Sequence, residues 1–407
     1  MSGMSPPVRT SEELRAHNRA RLLRAVHDTG AALTRAQLTD RLGMARGTAS
    51  VLVAELSDAG LITESPAEPP SRGRPSHVPG PHAEGPVALT IHLREDGWQL
   101  ATGTIGGELS VLEEETHQGE PSRVFPEIAD RIAAHRERLG HRLVGAAVSV
   151  AGPVVNGNLL HVTHLRWEEL DVSGWLGTAG IPVRIANDAT LAALAEARRG
   201  KLRGLSTALH IHVDFGVGGC LMDEGRPLTG ARGIAGEYGH MRLTGSTRPC
   251  DCGAEGCWGG EVGAVPMLRR YGVAADYRQG RAALARLLRN AADGEPEAVA
   301  VLDATADSLG RGIGGLVNAH DPAAVTLSGI GVDLLHRARD TVTAGYRAAL
   351  MRYHLDDPPP VLPADLGVRG PLVGAMELVF DEFITPERLT AWHQHHAAGD
   401  PTGDPRQ

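Results

Sequence analysis

The sequence predicts a helix-turn-helix module at the N-terminus, joined through a proline-rich stretch to a larger α/β body. Three observations predict it. Helical segments with recognisable caps fill residues 12–59, seven prolines crowd residues 66–86, and from residue 87 apolar strand-like runs alternate with amphipathic helical ones. A chain of 407 residues with 42% hydrophobic content is long enough for two or three domains around a substantial core. The charge is uneven. Residues 1–80 carry ten arginines against eight acidic side chains, a balance of +2, which leaves −11 of the total −9 for the remainder. That asymmetry suits a protein that meets nucleic acid with one end only. No apolar run approaches the roughly 20 residues that cross a bilayer. The opening MSGMSPPVRT also lacks the apolar core of a signal peptide. A soluble cytoplasmic protein without membrane contact is expected.

In residues 12–27, Leu14, Leu22, Leu23 and Val26 keep a loose helical spacing, and Gly30 follows as a stop. Thr34 reads as the N-cap of a short helix carrying Ala36, Leu38 and Leu42. Gly43 then turns the chain, and residues 45–59 resume as a helix with Leu52, Val53 and Leu56 inward. The outer face of that last helix offers Arg46, Thr48 and Ser50. An arginine there can reach a guanine edge or a phosphate, and the hydroxyls can hold phosphates. Thr34 and Arg35, opening the preceding helix, would meet the DNA backbone. Leu61, Ile62 and Thr63 begin a wing, so residues 1–64 form the expected DNA-binding domain. The competing interpretation is a three-helix cap with a solvated arginine face. Residues 65–86 read as a linker or wing, too rich in proline for a helix or a central strand. Within it Arg72 and Arg74 can dip into a minor groove or stay solvated.

Residues 87–380 form the body. Strands are expected at 87–93, 98–105, 143–150, 183–186, 207–213, 217–222 and 324–327, with helices at 125–139, 189–199, 301–318, 333–350 and 371–380. Three stretches fall at strand ends, where open α/β sheets place ligands: Ala151-Gly152-Pro153, Asn187-Asp188, and the glycine hairpin at 215–219. Asp188 can take a proton from a sugar hydroxyl or simply recognise it, although Asn-Asp before a helix is also an ordinary cap. Residues 381–407 read as a polar, solvated tail in which His393, His395 and His396 make no metal site.

The densest chemistry lies between Gly236 and Gly260, which holds Glu237, His240, Cys250, Cys252 and Cys257. One imidazole and three thiolates complete a tetrahedral Zn²⁺ site. Gly253 and Gly256 permit the tight loop that gathers the sulfurs. A disulfide with a spare thiol is the alternative, and it suits an oxidising compartment for which the chain shows no signal. Glu237 beside His240 would be oriented by the metal. Cys220, inside a strand, reads as a small buried apolar residue.

The order of these motifs, from Thr34-Arg35 and Thr48-Ala49-Ser50 through Asn187-Asp188-Ala189, Gly236-Glu237-Tyr238-Gly239-His240 and Cys250-x-Cys252-Gly253-x-x-Gly256-Cys257, resembles the ROK family of repressors, open reading frames and sugar kinases, in its transcriptional-regulator branch. The resemblance spans residues 12–380. It implies a winged helix-turn-helix followed by a two-lobed, actin-like (ribonuclease-H-like) body with a sugar in the cleft. It also implies that Asn187, Asp188, Glu237 and His240 contact sugar hydroxyls, that His240 binds zinc with the three cysteines, and that Asp188 matches the kinase base.

Family kinases carry an Asp-x-Gly-Gly-Thr phosphate loop at the first body strand. The matching residues 89–95 are Leu-Thr-Ile-His-Leu-Arg-Glu, without the glycines and aspartate that place phosphate and Mg²⁺, so phosphoryl transfer is expected to be absent. Ser328-Gly329-Ile330-Gly331 also stands where the family has consecutive glycines. The family's glutamate two residues after the last zinc cysteine is missing, with Glu261 as the displaced candidate, and His164 replaces a common asparagine near the Gly152 turn. A sugar-responsive repressor of carbohydrate genes is therefore expected. It would act as a homodimer or dimer of dimers on a two-fold symmetric operator in double-stranded DNA. A sugar kinase and a ligand-independent DNA-binding protein are the other readings.

Overall fold

The computed structural model describes residues 10–67, 76–155, 158–162, 165, 167–243, 246–274 and 277–398. The head begins with α1 (Ser11–Asp28), α2 (Arg35–Leu42) and α3 (Arg46–Asp58). Capping boxes start the first two helices: Thr10 with Glu13 and Thr34 with Gln37 each satisfy two N–H groups that no helical bond can reach. Gly43, at φ 62°, ends α2 in the left-handed conformation that glycine adopts without a steric penalty. β1 (Ile62–Pro66) pairs antiparallel with β2 (His77–Pro81) to make the wing. Residues 65–66 and 77–81 of the expected linker or wing are thus strand. In a two-stranded ribbon both strands are edges, so Pro79 and Pro81 can lack an N–H without breaking a ladder.

The first lobe comprises β3 (Val87–Leu93), β4 (Gly97–Thr104), β5 (Leu109–Thr116), α4 (Pro121–Leu139) and β6 (Leu143–Val150), followed by a small sheet of β7 (Val154–Val155), β8 (Asn158–Val162) and β9 (Trp167–Leu170). It closes with α5 (Ser173–Leu176), β10 (Val183–Asn187) and α6 (Asp188–Arg199). The second lobe comprises β11 (Thr207–Val213), β12 (Val217–Asp223), β13 (Arg226–Pro227), α7 (Ala264–Arg270), α8 (Tyr277–Ala292), α9 (Pro296–His320), β14 (Val325–Gly329), α10 (Ile330–Arg337), α11 (Arg339–Ala349) and β15 (Val361–Pro363). The chain then returns to the first lobe with α12 (Gly370–Phe383) and ends in α13 (Pro386–Ala398).

The two main sheets share one plan. Each has an antiparallel three-strand meander with two parallel strands added beside its first strand, in the orders β10-β6-β3-β4-β5 and β13-β12-β11-β14-β15. Every residue of β3 is buried, as a strand covered on both faces requires. Helix α12 lies against α6 so closely that a Cβ on Gly374 would sit 1.9 Å from the Leu191 carbonyl oxygen.

Several elements depart from the sequence reading. The single helix expected at 333–350 breaks at Ala338 into α10 and α11, and α8, β5 and the small sheet were not anticipated. The largest correction concerns the C-terminus. Residues 381–398 are not a solvated tail, because α12 runs on to Phe383 and α13 docks on α1 with Leu389 and Trp392 buried. The Trp392 indole donates to the Ala59 carbonyl at 2.8 Å. His393, His395 and His396 do face solvent on that helix, although His395 packs 4.7 Å from the His141 ring. The helix turns two apolar side chains inward at i and i+3, a pattern too short to outweigh the surrounding histidines in a sequence reading.

One apolar cluster joins head and body. Leu22, Leu23 and Val26 of α1 and Leu52 and Leu56 of α3 pack in the same core as Phe380 and Phe383 of α12 and Trp392 of α13. Trp392→Ala should therefore lower stability by about 3–5 kcal/mol, the usual cost of deleting a buried aromatic. The measurement is the urea midpoint together with trypsin cleavage of the head, and an unchanged midpoint with a protected head would contradict this packing.

Candidate functional site

The face expected to meet DNA is built by local rules. Ala45 caps α3 without a side-chain hydrogen bond, which leaves the first N–H groups of this helix facing outward beside exposed Arg46, Gly47 and Thr48. Arg46 makes no ion pair among the described residues. Two expected contacts are already engaged internally: the Ser50 hydroxyl donates to the Arg46 carbonyl at 3.0 Å, and Thr34 is the working cap of α2. Arg35 pairs with Glu64 of the wing at 3.5 Å. Arg72 and Arg74 lie outside the described residues.

Between the lobes lies a cleft of about 290 Å³, lined by Gly152, Asn187, Asp188, His212, Asp214, Glu237, His240, Arg248 and Arg269 among others. Asn187 caps α6 by accepting from the Thr190 N–H at 3.0 Å and donates to the Gly152 carbonyl at 3.2 Å. It thereby holds the two strand-end turns together. Asp188, the first residue of α6, accepts from the Ala189 N–H at 2.7 Å and faces the His212 imidazole at 4.0 Å. Burial raises its pKa to about 6 against the opposing pull of His212, with the Glu95 charge adding to the rise. Glu237 is raised to about 7 by burial and then by the Asp188 carboxylate. Two carboxyl groups with weakened acidity thus share one cleft, an arrangement suited to hydroxyl-rich ligands.

His212 is held from behind. Its Nδ1 lies 2.7 Å from the Ser328 hydroxyl, which also meets His210 Nε2 at 2.9 Å, while His210 Nδ1 meets Thr326 at 2.9 Å. Burial drives the His210 pKa down to about 3, so it stays neutral. His210 and His212 went unnoticed in the sequence, yet the alternation Leu209-His210-Ile211-His212-Val213 places both on one face of β11. Ser328, in the stretch where the resemblance implies consecutive glycines, thus bonds both histidines.

On the opposite side, Arg281 of α8 bridges the lobes. It meets Glu95 and Asp214 at 2.9 Å and Asp96 at 3.2 Å, and stands over the Phe215 ring at 5.2 Å. Where family kinases carry the phosphate loop, this chain presents a buried Thr90 bonded to the Ala101 carbonyl, a His92 whose pKa burial lowers to about 3, and the Glu95 carboxylate. Three carboxyl groups thus surround one guanidinium at this end of the cleft.

His240, Cys250, Cys252 and Cys257 converge as the sequence suggested, with all four ligand atoms within 4.8 Å of one another. The Cys252 and Cys257 sulfurs are 3.7 Å apart, as are Cys250 Sγ and His240 Nδ1. A tetrahedral ion with bonds to sulfur of about 2.3 Å, the zinc value, needs edges of about 3.8 Å, so the donors fit a metal. The cysteines are free thiols. Gly253 and Gly256 take φ of 90° and 69°, closing the loop. His240 Nε2, the ring nitrogen other than the one facing Cys250, lies 3.9 Å from the Glu237 carboxylate. Trp258, fully buried, fastens the loop to α9 by donating to the Ser308 carbonyl at 2.9 Å.

Glu261 does not enter the cleft. Arg270, Arg248 at 3.7 Å and the Ser246 hydroxyl at 3.2 Å hold its carboxylate behind the wall, because the intervening short helical turn at 258–260 carries it around the backbone. His164 lies outside the described residues. Asp188→Asn should stabilise the folded protein by about 1–3 kcal/mol above pH 6, where the wild type buries a charge. Since the folded pKa is raised, the gain should shrink as pH falls from 6 and vanish below about 4. Urea midpoints across that range are the check, and a pH-independent difference would refute the assignment.

The ROK family model matches residues 98–382, and a MarR family model matches residues 16–73. A glucokinase of Streptomyces coelicolor is 27% identical over 312 residues, covering 72% of this chain and 98% of the relative. A putative xylose repressor of Caldicellulosiruptor is 27% identical over 229 residues, covering 52% and 57%. Among solved structures, a ROK family transcriptional regulator, a homologue of the E. coli MLC protein, superposes with a TM-score of 0.71 at 22% identity, covering 94% of this chain and 99% of that one. A Streptomyces griseus ROK glucokinase in complex with glucose and AMPPNP gives 0.61 at 23%, covering 72% and 98%. With seven-tenths of its length matched by the family model and the likeness to a regulator running on through the head, this chain belongs to the ROK family.

Proposed function

We propose that the chain is a transcriptional regulator that grips operator DNA through α3 and the wing and changes that grip when a sugar or sugar derivative enters the cleft. The observation that carries the reading is the fusion of a MarR-like head, through one apolar core, to the lobe that supplies Asp188. Two copies would read a symmetric operator, with the half-site spacing set by how they associate.

Helix α6 supports a route for coupling. Asp188 opens it in the cleft, and Arg199 closes it roughly 18 Å away, bonded to the α1 carbonyl of His27 at 3.3 Å and to the Gly106 carbonyl at 2.9 Å. A ligand that binds one arrangement of the lobes more tightly would move this rod and the head together. Zn²⁺ is the metal we assign to His240, Cys250, Cys252 and Cys257. When bound it would tie the loop into one piece, and His240 would then hold Glu237 toward the ligand.

Phosphoryl transfer is not part of this proposal, given the acidic ring around Arg281 and the absent phosphate loop. Asp188, with its raised pKa, does favour a kinase as second reading. Sugar-dependent ADP formation that disappears in Asp188→Asn would replace our proposal with it.

Operator binding followed by fluorescence anisotropy at fixed salt should shift at least fivefold with one member of a sugar panel. Indifference to the whole panel with metal in place would leave only a ligand-independent DNA-binding protein. Arg46→Ala should weaken operator binding about tenfold or more and, if the guanidinium meets a phosphate, reduce the salt slope by about one. Elemental analysis should find one zinc per chain, and its removal by chelation should abolish the sugar response while operator binding persists. A metal-free protein that still senses sugar would remove the metal from the scheme.

A further inference from the structure

The cleft has two chemically opposite ends. Asp188 and Glu237 make one end acidic, and Glu95 and Asp214 beside them are countered by Arg281. At the other end, below the metal loop, the lining is Arg248, Arg269 and the side-chain-free Gly259 and Gly260. Charge is unbalanced there. Three arginines, Arg248, Arg269 and Arg270, stand there against two carboxylates: Glu261, which engages Arg270 and, at 3.7 Å, Arg248, and Asp251, which also lines the cleft. Among the described residues Arg269 has no carboxylate partner, and its side chain donates only to the Gly260 carbonyl at 3.0 Å. Burial, then the charges of Arg248 and Arg270, push the Arg269 pKa down. Crowded cations facing a concavity are stabilised by an anion, and guanidinium groups match phosphate and carboxylate oxygens in geometry as well as charge.

Granting the sugar-sensing reading above, on which this rests, we infer that the effector is a sugar bearing an anionic group, phosphate or carboxylate, taken by Arg248 and Arg269 while Asp188 and Glu237 hold hydroxyls. The roughly 290 Å³ of the cleft suits a ligand of monosaccharide size. With the acidic ring around Arg281 at the other end, the arginine end is, among the described residues of the cleft lining, where positive charge is in excess.

Calorimetry on the full-length, metal-loaded protein with glucose, glucose 6-phosphate, glucuronate and inorganic phosphate tests this. At least one of the two anionic sugars should bind tenfold or more tightly than glucose, and the phosphate and uronate arms distinguish the two sources of charge. The advantage should weaken as salt rises and fall to near unity in Arg269→Met, which keeps the apolar stem, while Arg269→Lys should retain part of it. Melting temperature and zinc content of the unliganded variants establish that they fold. Glucose binding as tightly as both anionic sugars, or an advantage surviving in the Arg248→Ala, Arg269→Met double variant, would overturn the inference while leaving sugar sensing intact. Inorganic phosphate binding as tightly as the sugar phosphate would overturn it too, by reducing the site to a bare anion pocket. If no sugar binds, both this inference and the sensing proposal fall.

Discussion

A buried charged cluster holds the head to the body. His27 of α1 and Glu377 of α12 are fully buried, their side chains 3.3 Å apart, and Arg199 of α6 bonds both. Burial alone would raise the Glu377 pKa, but hydrogen bonds and charge from His27 and Arg199 hold it at about 2. A buried charge left without its partner is costly, so three elements from distant parts of the sequence are fixed in one geometry. Arg199 also bonds the Gly106 and His27 carbonyls, and a Cβ at Gly107, where φ is 87°, would push the guanidinium out of this position. The apolar core around this cluster supplies the bulk of the adhesion, and the charges determine its register.

Because α6 carries both this cluster and Asp188, the ligand cleft and the DNA-binding head share a structural member. Opposite Asp188, the neutral His210 and the Ser328 hydroxyl fix His212. On the far side Arg281 ties the β3–β4 turn to Asp214 and so links the two lobes. Each wall of the cleft is therefore anchored to a different sheet. A change in the angle between the sheets must alter the spacing between Asp188 and the loop that carries Glu237 and His240.

Much of the site was legible because its signals are local. The His240, Cys250, Cys252 and Cys257 set lies within twenty residues, and capping at Thr34 and the Gly43 turn depend on neighbours only a few positions away. Whether Glu261 reaches the cleft was not legible, because its direction depends on the short turn after Cys257 and on Arg270, neither of which its position in the sequence discloses. Arg248, Arg269 and Arg281 gave no signal above a background rich in arginine. Each acquires meaning only from the carboxylates that the fold places beside it or withholds.

The sequence by itself determined the capped helices of the head, the strand and helix alternation of the body and the cluster of one histidine and three cysteines, since all follow from periodicity, turn chemistry and spacing along the chain. The tertiary structure alone decided that α13 is a docked helix, that residues 77–81 of the proline-rich stretch are a wing strand, and which charges in the cleft are compensated. Burial and ion pairing depend on distances between residues tens to hundreds of positions apart, such as Ala59 with Trp392 and His27 with Glu377, and those distances exist only once the lobes have packed.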